Sequence, residues 1–141
     1  MKIIKRIFYY CFILLLCAGC ANKPSFSDAF FTEGQFEIRS SDIIEGTPLF
    51  FKTIEGISFF VIKVNGHVGS YFNACSRCYT SKKGFRVEKS RLICRVCNVG
   101  YPFDSLDTGI ASCFPLILHG ANINGSYIIK KDEVLKGSRY F

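Results

Sequence analysis

The chain has 141 residues, enough for one domain, and its 21% charged and 16% aromatic content, with 15 phenylalanines, excludes a disordered chain and supplies a core. Its formal charge is +7, but Lys2, Lys5 and Arg6 stand at the extreme N-terminus, and the remainder carries 15 basic against 11 acidic residues. That excess is too small for the strongly basic face of a dedicated nucleic-acid binder, so no nucleic-acid partner is expected.

Residues 1–20 read as a secretory signal peptide. Lys2, Lys5 and Arg6 form its basic start, and 7–19 is an uncharged run of thirteen residues, shorter than the roughly 20 that cross a bilayer. The run ends in Cys17-Ala-Gly-Cys20, which is similar to a bacterial lipobox. Cys20 would then carry the lipid, become the mature N-terminus and anchor the protein to a membrane of the cell envelope, facing outside the cytoplasm. A soluble secreted form and a retained membrane helix are the alternatives. Segment 21–45 has Pro24, Gly34 and no sustained apolar period, and is expected to be a tether. Its phenylalanines could still pack, and 36–39 carries a short strand signal. Residues 46–141 are left as the cysteine-bearing domain.

Further strand signals follow at 49–54, 57–64 and 68–72. Asn65-Gly66 between two apolar runs is a two-residue hairpin signal, because both turn positions accept positive φ. The run 57–64 is too continuously apolar to alternate, which predicts a strand covered on both faces near the middle of a sheet. His67, beside that turn, is expected to be solvated. Two short strands at 84–87 and 90–94 turn around Glu88-Lys89, a strand end and tight turn follow at 100–109, and a last strand follows Asn124-Gly125. A short helical segment at 131–136 is expected to close the core with Val134 and Leu135. The predicted fold is mainly β, a small single domain of antiparallel hairpins carrying zinc-ribbon-like CxxC turns, with little helix.

Chemistry is concentrated between Cys75 and Cys113. Cys75-Ser-Arg-Cys78 and Cys94-Arg-Val-Cys97 stand fifteen residues apart, a spacing of two CxxC pairs that suits a four-thiolate metal site. Each turn lets two sulfurs converge on one ion, and two turns side by side complete a tetrahedron. Reversible dithiol chemistry and structural disulfides are the alternatives. Five cysteines lie beyond the leader, and this odd number suits four ligands plus a surplus sulfur, Cys113. Between Arg77 and Arg95 seven basic residues face one acid, Glu88. These cations would favour thiolates and offset the charge of a four-thiolate site. His119 is a weaker candidate for an extra ligand. No phosphate loop, Ser-His-Asp arrangement or paired carboxylates appear, so a non-enzymatic metal-binding or electron-transfer protein is favoured over a hydrolase or phosphoryl-transfer enzyme.

Taken together, Ser58-Phe-Phe-Val-Ile-Lys, Phe72-Asn-Ala-Cys-Ser-Arg-Cys, Lys82-Lys-Gly-Phe-Arg, Leu92-Ile-Cys-Arg-Val-Cys, Phe103 and Cys113-Phe-Pro-Leu resemble the FtrD-like domain family of membrane iron-sulfur containing proteins linked to iron-transport permeases. The resemblance covers about residues 46–141. It implies an iron or iron-sulfur centre, with zinc as the alternative, at Cys75, Cys78, Cys94 and Cys97, and it includes Cys113 as the fifth family cysteine. It further implies an iron-transport permease or a redox protein as partner. The competing expectations are a structural zinc module that binds an envelope partner and a CxxC thiol-disulfide oxidoreductase.

Overall fold

A computed structural model describes residues 24–110 and 113–141. The expected signal peptide, the first residues of the expected tether and the expected lipidation site Cys20 lie outside the described residues. The chain is mostly β, 47% strand against 14% helix, as its short runs and Gly-containing turns predict.

Five strands form the main sheet in the order β1-β3-β4-β5-β9: β1 (Phe26–Asp28), β3 (Leu49–Lys52), β4 (Ser58–Val64), β5 (His67–Cys75) and β9 (Pro115–Ile117). A second sheet, β10-β11-β2, joins β10 (Ala121–Ile123), β11 (Ser126–Lys130) and β2 (Gln35–Arg39). The third is the meander β6 (Phe85–Glu88), β7 (Arg91–Cys94) and β8 (Gly100–Pro102). Pairing is antiparallel except between β1 and β3, which run parallel because β2 intervenes in the other sheet. One short helix, α1 (Lys131–Leu135), continues into a 3-10 turn at Lys136–Tyr140.

β4 occupies the middle of the main sheet, and its continuous apolar run is divided between two cores. Phe59 and Val61 face one cluster with Phe36, Phe51, Phe72 and Ile129. Phe60 and Ile62 face the other with Phe85, Leu92, Tyr101 and the cysteines. Period-two alternation thus persists inside a run that shows none by hydropathy, because both faces are covered. The β4–β5 turn has φ 52° at Asn65 and 78° at Gly66, the left-handed pair that a two-residue hairpin requires. The Glu45 carboxylate accepts from both turn amides, at 2.5 Å from Asn65 N and 3.3 Å from Gly66 N.

Two sequence expectations change, and three short strands appear that no expectation covered. Segment 21–45 contributes β1, β2, buried Ile43 and the exposed Glu45 that holds the β4–β5 turn, so its described part is not a free tether. Phe36 explains this, since its ring meets those of Phe51 and Phe59 at 4.8 and 5.3 Å and carries β2 onto the core. At the other end Val134 is fully buried whereas Leu135 is 38% exposed, so only Val134 closes the core. Strands β1, β9 and β10, three residues each, were too short to show a periodicity.

Candidate metal centre

Each CxxC turn begins at the last residue of a strand. Cys75 ends β5, and Cys78 follows in a turn closed by its N–H donating to Cys75 O at 3.1 Å. Cys94 ends β7, where its N–H donates to Val99 O at 2.9 Å, and Asn98 N–H donates to Cys94 O at 3.0 Å with Asn98 at φ 58°. A left-handed residue is what turns the chain back into β8, and asparagine adopts it more readily than most residues. The meander is held against β5 by Asn73, whose side-chain oxygen accepts from Phe85 N–H at 2.8 Å.

These elements bring Cys75, Cys78, Cys94 and Cys97 together, with all four sulfurs within 4.8 Å of one another. Cys75 and Cys94 are buried, Cys78 is half-buried and Cys97 is exposed, so the cluster has a closed side and an open side. The two turns repeat one hydrogen-bond pattern. Backbone N–H groups of Arg77 and Cys78 donate to the Cys75 sulfur, and those of Val96 and Cys97 donate to Cys94. Such donors stabilise thiolates and are available before any ion arrives.

The acidities of the four thiols diverge. Burial pushes Cys75 up, but the Arg77 and Cys78 amides and the Tyr101 hydroxyl outweigh it and leave Cys75 lowered. Cys97 is also lowered, as the Val99 amide and the Cys94 and Cys78 thiols outweigh burial. Cys78 is pushed up to about 12 by burial and then by its hydrogen bond with Cys97 and the charges of its neighbours. Burial likewise raises Cys94. The surroundings thus favour the thiolate at Cys75 and Cys97 and the thiol at Cys78 and Cys94, whose protons a binding cation displaces.

Cys113 stands beside this group. Its half-buried thiol is within hydrogen-bonding distance of the Cys75 and Cys97 sulfurs, and a bridge pair with Ile110 holds its backbone, N–H to O at 3.1 Å and O to N–H at 2.9 Å. His67 and His119, the weaker candidates, are exposed, and His67 Nδ1 contacts Asn65 O at 3.0 Å. Tyr101 was not singled out in the sequence. It is fully buried, its hydroxyl lies 3.9 Å from Cys75 Sγ, and burial followed by the Cys75 charge keeps it protonated as a donor. An aromatic four residues after Cys97 was its only sequence signal.

The donor set fits a metal centre. One tetrahedral ion about 2.3 Å from each sulfur would space the sulfurs about 3.8 Å apart, so the observed group closes on a single ion with a small contraction. Four cysteine thiolates are equally the donor set of iron-sulfur clusters. The sequence profile of the family described as "Membrane iron-sulfur containing protein FtrD-like" matches residues 47–141. The chain belongs to the FtrD-like family. No curated protein matches it.

Solved structures similar to this FtrD-like chain include a carbazole-bound oxygenase and ferredoxin complex of carbazole 1,9a-dioxygenase, at 16% identity and TM-score 0.48 over 71% of this chain and 29% of that one. The reduced oxygenase and ferredoxin complex of the same dioxygenase matches at 16% identity and TM-score 0.46, over 71% and 29% of the two chains. This protein thus spans under a third of the length of those chains. Among the described residues no helix is long and apolar enough to cross a membrane.

Proposed function

We propose that this FtrD-like protein is a cell-envelope lipoprotein in which Cys75, Cys78, Cys94 and Cys97 hold an iron or iron-sulfur centre that serves iron transport as an accessory or electron-transfer component. The observation that carries the proposal is the convergence of four sulfurs within 4.8 Å, on two amide-lined CxxC turns, in a family described as iron-sulfur containing. Residues 1–20 are the signal peptide, Cys20 takes the lipid and 46–141 carries the cysteine site, with the strands preceding it folded onto the same body.

An iron centre, when bound, supplies one-electron redox chemistry. The chain's own residues set its surroundings. The four amide donors orient and ionise the buried sulfurs, Tyr101 donates to Cys75, and Cys113 lies against Cys75 and Cys97 as a neighbour able to change the polarity of the site. Phe85, Leu92, Tyr101 and Leu106 exclude water from the closed side. Exposed Cys97 marks the side from which a redox partner or a permease would approach.

Purification of the full chain under anaerobic conditions, followed by metal analysis and a visible spectrum, tests this. Iron with thiolate absorption supports the proposal. One zinc per colourless chain would assign the site to a structural interaction module, the second reading, which the single-ion spacing of the sulfurs suits as well as it suits one iron. Metal-free protein with titratable disulfides would replace both with a thiol-disulfide oxidoreductase.

A further inference from the structure

A groove of about 430 Å³ lies where the end of the main sheet meets the β6–β8 meander, and none of its lining residues is a cysteine. Its lining includes the half-exposed Phe26, Phe141 and four cations, Lys52, Lys82, Lys83 and Arg95, with no aspartate or glutamate. Elsewhere Arg39, Arg86, Lys131 and Lys136 each form an ion pair with a carboxylate. Among the described residues none of the four groove cations has such a partner. Uncompensated charge converging on one concavity, rather than spread over a solvated face, is what an anion site provides.

The cationic wall is also fixed in place. Lys82 takes φ 52° with its N–H donating to Tyr79 O at 2.8 Å, and Gly84 follows at φ 60°. A Cβ at Gly84 would lie 2.5 Å from the Asn73 side-chain amide, so the loop rests directly on β5. Asn73 is itself held by Phe85 N–H and by its bond to Ser58 Oγ at 3.3 Å. Arg95 N–H donates to Gly84 O at 3.0 Å and locks the second wall to the first. Ordering this loop is therefore not a cost that a ligand has to meet.

We infer that this groove binds a small polyanion, of the di- or tricarboxylate class, between Lys82, Lys83 and Arg95, with its carbon skeleton against the half-exposed Phe26. A volume of this order suits a small molecule, and two or more carboxylates match cations presented from two walls. The inference stands on the groove alone and not on what the cysteines hold.

Titration of the full, natively purified chain with citrate at low ionic strength, followed by amide NMR, tests it, with metal content measured on the same sample. The expected result is saturable shifts at Lys82, Lys83, Gly84, Phe85 and Arg95. The variant Lys82→Gln/Lys83→Gln/Arg95→Gln should bind at least about tenfold more weakly. Charge-keeping Lys82→Arg/Lys83→Arg should retain binding, as should Lys89→Gln/Arg91→Gln, whose positions lie outside the groove. Shifts that do not saturate, or equal weakening in the Lys89/Arg91 control, would overturn the inference in favour of diffuse charge. Retention on phosphatidylglycerol vesicles that citrate does not displace would overturn it in favour of a membrane surface. Citrate binding by metal-free protein would leave the groove standing while removing the proposed metal function.

Discussion

Tyr101 directs its hydroxyl at Cys75, 3.9 Å from the sulfur, from a position with no exposure to solvent. A buried tyrosine hydroxyl needs a partner, and this one finds it in a thiolate. The bond stabilises the more negatively charged state of whatever the four cysteines hold. Tyr101→Phe should keep metal content and lower the reduction potential by about 40 mV, the equivalent of one hydrogen bond worth about 1 kcal/mol in a one-electron couple. Protein-film voltammetry on both proteins checks this, and an unchanged or raised potential contradicts it.

Cys113→Ala should retain stoichiometric metal and alter the absorption spectrum or the potential, because its thiol touches the Cys75 and Cys97 sulfurs from beside the quartet. Loss of all metal would make Cys113 a ligand. An unchanged spectrum and potential would reduce it to packing.

Metal affinity should rise with pH. Cys78 is held at about 12 and Cys94 is also raised, so both are protonated near neutrality and release protons when an ion binds. Below the lowered values of Cys75 and Cys97 more protons must leave and binding weakens further. Each thiol proton released corresponds to about tenfold tighter binding per pH unit, so Cys78 and Cys94 together contribute about 100-fold per unit around neutrality. Competition against a chromophoric chelator at several pH values measures the slope, and a flat profile excludes thiolate ligation.

Removing metal should loosen the meander before the sheets. No strand of the β6–β8 meander pairs with the main sheet, and it is held there by Asn73, the cysteine cluster and the packing of Phe85, Leu92 and Tyr101, whereas β4 and β5 pair along six residues. Hydrogen exchange after chelation should therefore speed up in β6–β8 and leave β4 protected, since a bound ion contributes folding free energy directly. Uniform protection throughout would show that the turns are rigid without metal.

Gly137→Ala should destabilise the protein by about 1–3 kcal/mol. Gly137 lies in the final 3-10 turn, where an added Cβ would collide with the Phe72 ring, and that ring also packs at 5.7 Å against Tyr140 and 6.4 Å against Phe141. A shift in the denaturation midpoint with an unchanged metal spectrum would place the effect in the core opposite the cysteines.

The sequence alone determined what depends on local chemistry. Asn65-Gly66 announces its hairpin because few other pairs accept two positive φ values, the apolar run at 57–64 announces a central strand, and two CxxC pairs announce where thiols will converge, since each pair shares one turn. Tertiary structure decided what depends on distant partners. Phe36 draws the segment before residue 46 into the fold only because Phe51 and Phe59 await it, and Val134 rather than Leu135 is buried because of the face that α1 turns to the core. Tyr101 gains its role only when β8 lies beside β7 and its hydroxyl reaches the end of β5. Lys52, Lys82, Lys83 and Arg95, far apart in sequence, share one groove because Asn73 and Gly84 press the meander onto the sheet. Hydrogen bonds and ring contacts over such separations leave no period in the sequence, and only the folded chain states them.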